Sequence, residues 1–224
     1  MADSDSVRRS HGGLVGADAR AAGELGRAAN LSRVYLAGPE VFLADALVIG
    51  ARKKLLCGEY GFEGVFPVDN QVEAAGMAPR ELGLRIGELN EQLIRSCHAV
   101  IANVTPFRGP SADVGTAYEM GVAAGLGLVV CAYSNTAEPF FRRTVSYLEH
   151  RTTRGQDGQV RDTEGLAIEN FDLHDNLMLE SCVARTGGVF VTRDSGRGDG
   201  LRAMEAFQAC LRRLRAIVDA ANRA

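Results

Sequence analysis

The sequence predicts an α/β fold, a five-stranded, doubly wound parallel sheet of the flavodoxin-like, three-layer Rossmann-like kind. Short, wholly apolar segments of strand length recur along the chain, as strands buried on both faces require. Segments of helical length alternate with them, which calls for right-handed crossovers that place helices on both faces.

Residues 1–32 are rich in Ala, Gly, Arg, Asp and Ser without sustained periodicity, so they are expected to form a mobile tail, with 33–224 as a single α/β domain. Val34-Tyr-Leu-Ala37 reads as the first buried strand, stopped by the turn residues Gly38-Pro39. Ala44–Glu59 reads as a helix, Val65–Val68 as a short second strand and Asp69–Ala78 as a loop. Pro79 suits the first turn of a helix running to about Ser96, where its missing N–H would have had no partner. Ala99–Val104 is an apolar third strand, Thr105–Asp113 a turn-rich loop, Val114–Leu126 a helix and Leu128–Tyr133 the fourth strand. A helix is expected over Glu138–His150, a long polar loop over 151–170 and a short helix over Leu177–Cys182. Gly188–Thr192 reads as the last strand and Leu201–Asn222 as a closing amphipathic helix.

Composition narrows the function classes. Of 224 residues, 25 are Lys or Arg and 28 Asp or Glu, a formal charge of −3, so there is no basic footprint for a nucleic-acid polymer or an anionic membrane. The longest stretch poor in charge, 114–137, is interrupted by Glu119 and four glycines and fails as a bilayer span. No apolar core of signal-peptide length follows the arginines near the start. Five cysteines, an odd number with no C-x-x-C pair, read as reduced core thiols and point to a cytoplasmic protein. The four histidines are scattered and no metal motif is present, so no metal or other cofactor is expected.

In such sheets ligands bind beyond the carboxyl ends of the strands, which places Gly38, Pro39 and the segment Asn103–Asp113 at the site. Glu119 is the only charged residue between Asp113 and Glu138, on a helix otherwise of small and apolar residues. An isolated carboxylate is costly to bury, so it either faces solvent, meets a buried arginine or faces a crevice that tunes its reactivity. Gly115, one turn earlier on the same face, would leave room for a substrate beside it. Asp113 lies about 120° around from Glu119 at 100° per residue and so falls at the helix entry, either as an ordinary N-cap or as the second carboxylate of the site. Two carboxylates at one crevice suit displacement at a sugar anomeric carbon, one as nucleophile and one moving the proton.

The segments Tyr35-Leu-Ala-Gly-Pro-Glu-Val-Phe42, Asn103-x-Thr-Pro-Phe-Arg-Gly-Pro-Ser-Ala-Asp113-Val-Gly-Thr-Ala-Tyr-Glu119-Met-Gly121 and Asn176-Leu-Met178 resemble the nucleoside 2-deoxyribosyltransferases, as do, more weakly, Phe66-Pro-x-Asp69-Asn70 and Arg85-Ile86 with Asn90. The resemblance spans about 33–195. It implies a double displacement in which Glu119 attacks C1′ of a 2′-deoxynucleoside, the base leaves and a second free nucleobase captures the deoxyribosyl-enzyme. By the same likeness Asp113 moves the proton at the base, Tyr35 orients Glu119, and Asn176 and Met178 reach the sugar 5′-hydroxyl from a neighbouring subunit of a homo-oligomer. Tyr35 and Met178 could equally be core residues, and Asn103 a loop cap. His98 stands where family members commonly have Asp, and a surface or structural role is preferred for it.

Two alternatives share the residues. Water in place of the second base would make an N-glycosidase of 2′-deoxynucleosides or their 5′-monophosphates, with Arg108 and Ser111 holding a phosphate near a helix N-terminus. A non-catalytic nucleotide-binding module is the other, although both carboxylates are present. A dehydrogenase is disfavoured because Ala37-Gly-Pro-Glu40, not G-x-G-x-x-G, follows the first strand.

Overall fold

A computed structural model describes residues 33–69, 76–196 and 200–223. The expected tail 1–32 and Asn70 of the weaker motif lie outside the described residues. The main sheet has five parallel strands, β1 (Arg33–Ala37), β2 (Glu63–Val65), β3 (Ala99–Asn103), β4 (Val129–Ser134) and, at the far edge, β7 (Phe190–Thr192). Their spatial order is β2-β1-β3-β4-β7, the expected doubly wound arrangement.

Alternation along each strand sends side chains to two separate cores. Val34, Leu36, Ile101, Cys131 and Tyr133 face α1 (Ala46–Glu59) and α6 (Glu205–Ala221), where Ile49, Leu56, Phe207 and Leu211 cover them. Tyr35, Val100, Ala102, Val130 and Ala132 face the other way. There α2 (Pro79–Arg95), α3 (Val114–Gly125) and α5 (Leu177–Arg185) cover them with Ile94, Met120, Ala123, Leu179 and Val183. The helix α4 (Phe140–Tyr147) follows β4. Pro79 occupies the first turn of α2, as its missing N–H predicts.

Several boundaries differ from expectation. The second strand is Glu63–Val65 because that register pairs it with Arg33–Tyr35, while Pro67–Asp69 form a 3-10 turn that a proline opens readily. The segment expected as a long polar loop at 151–170 contains a small antiparallel pair, β5 (Thr153–Arg154) and β6 (Val160–Arg161). Asp157, in the turn between them, accepts hydrogen bonds from Gln159 N and from the Arg161 guanidinium, closing a hairpin whose residues are too polar to signal one by alternation. All five cysteines carry free thiols. Among the described residues no helix is long and apolar enough to cross a membrane.

Candidate active site

Parallel pairing of β1 and β3 brings Tyr35, in the strand facing α3, under the middle of that helix. The Tyr35 hydroxyl donates to Glu119 Oε1 at 2.6 Å. Glu119 is partly buried, and burial pushes its carboxyl up to about 7; the Tyr35 hydrogen bond pulls it down, and the negative charge of Asp113 adds to the rise. Burial first, and then the adjoining Glu119 charge, hold the Tyr35 phenol well above its ordinary range, so it remains a donor at any physiological pH. Among the described residues no Lys or Arg enters this pair.

Asp113 caps α3. Its carboxylate accepts from Thr116 N at 2.9 Å and from Thr116 Oγ1 at 3.1 Å, the side-chain bond an N-cap makes to satisfy an orphan donor. It is therefore the cap that one sequence reading offered, and its charge reaches Glu119. At Gly115 a Cβ would lie 3.0 Å from Asp113 Oδ2, so its missing side chain clears the Asp113 carboxylate.

The turn after β1 has a close-approach requirement. A Cβ on Gly38 would lie 2.0 Å from Glu40 Oε2 and 2.9 Å from Asn103 Cβ, so only glycine fits between them. Pro39 opens the 3-10 turn Pro39–Phe42 and is buried with Glu40. Glu40 lies on the opposite side of the sheet from Glu119, where its Oε1 accepts from Lys53 Nζ, Asn103 Nδ2 (2.8 Å) and Tyr133 OH (2.9 Å). Asn103 is buried, and its Oδ1 accepts from Thr105 N and Oγ1. Its amide is thus spent on Glu40 and on capping the loop, away from Glu119, which corrects its assignment to the substrate pocket. Sequence reasoning passed over Glu40 and Lys53, although a lysine one turn from both Ile49 and Cys57 stands on the buried face of α1, which was a signal.

Arg108 adopts a left-handed backbone (φ 54°). Its guanidinium lies 4.6 Å from the Phe107 ring centre and 5.3 Å from that of Phe42, and the two rings stack 5.3 Å apart. This partly exposed cluster crowns the loops after β1 and β3, and its cation is engaged with aromatic faces. Ser111 Oγ donates to Asp175.

Asn176 caps α5, its Oδ1 accepting from Met178 N at 3.1 Å and its Nδ2 donating to Glu169 at 2.6 Å. Met178 is 66% exposed and Val114 83%, on either side of an apolar hollow of about 510 Å³ between α3 and α5 that Asn176 also lines. Asn176 and Met178 thus lie beside the entry to α3 while Glu119 bonds inward to Tyr35. His98 lies at the opposite, amino end of the sheet, where Nδ1 accepts from Arg33 N at 3.2 Å, the structural placement preferred for it. His174 approaches Glu180 at 3.5 Å and stacks on Phe190. Among the described residues no three His, Cys, Asp or Glu side chains converge as metal ligands.

A family model described as nucleoside 2-deoxyribosyltransferase matches residues 34–178. An uncharacterized protein of Schizosaccharomyces pombe is 32% identical over 193 residues, 82% of this chain and 88% of that protein. The solved structure of a 2-desoxiribosyltransferase from Leishmania mexicana is 28% identical, with a TM-score of 0.53 over 81% of this chain and 97% of that one.

Proposed function

Since the chain belongs to the nucleoside 2-deoxyribosyltransferase family, we propose that it moves the 2-deoxyribosyl group of a 2′-deoxynucleoside from one nucleobase to another. The observation that carries this reading is the Tyr35–Glu119 pair, a partly buried carboxylate held by one neutral donor and, among the described residues, no cation. Such a carboxylate keeps its nucleophilicity when ionised, because no salt bridge competes for its electrons.

In the first half-reaction Glu119 forms a bond to C1′ as the glycosidic C1′–N bond breaks, and the electron pair leaves with the base. Asp113 relays to that base a proton taken from solvent. In the second, a nitrogen of the incoming base attacks C1′, Glu119 departs as carboxylate, and Asp113 takes up the proton the new nucleoside sheds. Tyr35 fixes the attacking oxygen and, as a donor, keeps part of the Glu119 population ionised at neutral pH. Asn176 and Met178 are assigned to the sugar 5′ end. The exposed Val114 and Met178 beside the apolar hollow support a homo-oligomer that completes this end of the site from two chains.

A nucleoside with a free 5′-hydroxyl fits better than a 5′-monophosphate. The Ala112 and Thr116 N–H groups at the α3 entry already serve Asp175 and Asp113, Ser111 serves Asp175, and Arg108 lies on two aromatic rings. A phosphate there would meet two carboxylates. The test is chromatography of products from 2′-deoxyinosine with and without adenine. Transfer yields 2′-deoxyadenosine only when both are present. Hypoxanthine released without a new nucleoside would instead establish hydrolysis.

A further inference from the structure

Arg108 is a cation that the mechanism above leaves without a role. It stands in a turn closed by Phe107 N, which donates to Ser111 O at 2.9 Å, and its left-handed φ of 54° is one that non-glycine residues adopt seldom and at a cost. That backbone lays the guanidinium against two rings, 4.6 Å from the centre of Phe107 and 5.3 Å from that of Phe42. Phe42 ends the 3-10 turn after β1 and Phe107 belongs to the loop after β3, so their stack joins the two loops.

Stacking occupies the face of a guanidinium and leaves its five N–H donors at the edge. Among the described residues no acceptor meets those donors of Arg108 and no carboxylate pairs with its charge. Arg143 shows the contrary case: buried on α4, it spends its donors on the carbonyls of Pro110, His174 and Glu138 and on Asp175. An arginine fixed by its face with its edge unspent is set to receive an acceptor from outside the chain. Asp113, assigned above to the proton at the base, ends the loop in which Arg108 stands, which puts that acceptor on the base side of the site.

Nucleobases divide at the edge away from the sugar. Hypoxanthine, guanine, uracil and thymine carry a carbonyl oxygen there, adenine and cytosine an amino group. A guanidinium satisfies the first and sets donor against donor with the second. As the C1′–N bond breaks, its electron pair passes into the base and, in an oxo base, reaches that carbonyl oxygen, where a fixed cation helps the transition state more than the ground state.

We propose that Arg108 selects the nucleobase by donating to this carbonyl oxygen, so that oxo bases are taken in preference to amino bases. This rests on the reading above, in which the chain transfers a deoxyribosyl group.

The experiment measures kcat/KM for release of base from two matched pairs, 2′-deoxyinosine with 2′-deoxyadenosine and 2′-deoxyuridine with 2′-deoxycytidine, and from their 5′-monophosphates. Unsubstituted purine is the common acceptor, and wild type, Arg108→Gln and Arg108→Lys are compared. The oxo-to-amino ratio within a pair is independent of how much protein is folded, so a merely structural role leaves it unmoved. Wild type favours the oxo member of a pair it accepts by about tenfold or more. Arg108→Gln, whose amide can turn its oxygen toward an amino group, brings the two members to near parity. Arg108→Lys keeps the charge without the planar fork and falls between them. A wild type without preference for the oxo member overturns the proposal, as does a wild-type ratio retained in Arg108→Gln. A loss in Arg108→Gln confined to the monophosphates would assign the guanidinium to phosphate and overturn it equally. Wild type inert toward every nucleoside and monophosphate, by transfer or hydrolysis, overturns the function itself.

Discussion

Two tyrosine–glutamate pairs flank the sheet on opposite faces, and they differ in one respect. Tyr35 donates to Glu119 and Tyr133 donates to Glu40, each across a buried strand end. Glu40 also receives Lys53 and the Asn103 amide, whereas Glu119 receives the phenol without any cation. A carboxylate whose Oε1 takes a cation and two neutral donors is held as a structural knot, its Oε2 buried without a hydrogen-bond partner among the described residues. A carboxylate given one neutral donor in a partly dry place keeps a raised pKa and an available lone pair, which is the condition for chemistry. What separates the structural carboxylate from the proposed nucleophile is the cation, present at Glu40 and, among the described residues, missing at Glu119.

The largest effect comes from neutralising the reactive member. Glu119→Gln keeps an acceptor for the Tyr35 hydroxyl and is expected to lower base exchange by at least about 10,000-fold. It is also expected to stabilise the fold. In the folded protein Glu119 titrates near 7 against an ordinary value of 4.5, so below 4.5 both states hold the proton and the substitution changes little. As pH rises through 7 the wild type must either keep a proton that the unfolded chain has released or hold a partly buried charge. At pH 8 the variant gains about 3 kcal/mol, read from urea unfolding at pH 4 and pH 8. Retained exchange would remove the nucleophile. A stability difference independent of pH would remove the account of the raised pKa.

The structural pair answers to the opposite substitution. Lys53→Met strands Glu40 without its cation, and is expected to cost about 3–5 kcal/mol of stability while the folded fraction keeps the wild-type pH dependence of exchange. Adding Glu40→Gln should recover most of that loss, since a neutral amide oxygen still accepts from Tyr133 and Asn103. A double variant as unstable as the single one would mean that Lys53 matters through packing alone.

The contrast also marks how far the sequence could be read. The strand order and the two helical layers follow from apolar runs alternating with helices, because parallel strands must be covered on both faces. Glu119 was legible because it is a lone charge in an apolar helix, and Asp113 because a cap residue opens that helix. Glu40, Arg143 and Asp175 were not, since each owes its role to partners more than ten residues away that only the fold assembles. Asn103 was assigned to the right region with the wrong partner. Sequence gives the end of the strand, but which neighbour an amide meets depends on the turn at Gly38. The hairpin at 153–161 was hidden because its residues are polar and it covers no core.

The smallest effect tests the donor that the two pairs share in kind. Tyr35→Phe removes the bond that lowers the Glu119 pKa while leaving the burial and the Asp113 charge that raise it. In the wild type the acid limb of kcat/KM is expected near pH 7, with activity rising as Glu119 ionises. In the variant that limb should move upward by about one unit, so the loss is about tenfold below pH 7 and shrinks as pH approaches 9. An unshifted limb with a uniformly lower rate would mean that Tyr35 acts only by orienting the carboxylate. The corresponding change on the other face, Tyr133→Phe, should leave the limb where it is, because Glu40 retains Lys53 and Asn103 and lies on the opposite side of the sheet from Glu119.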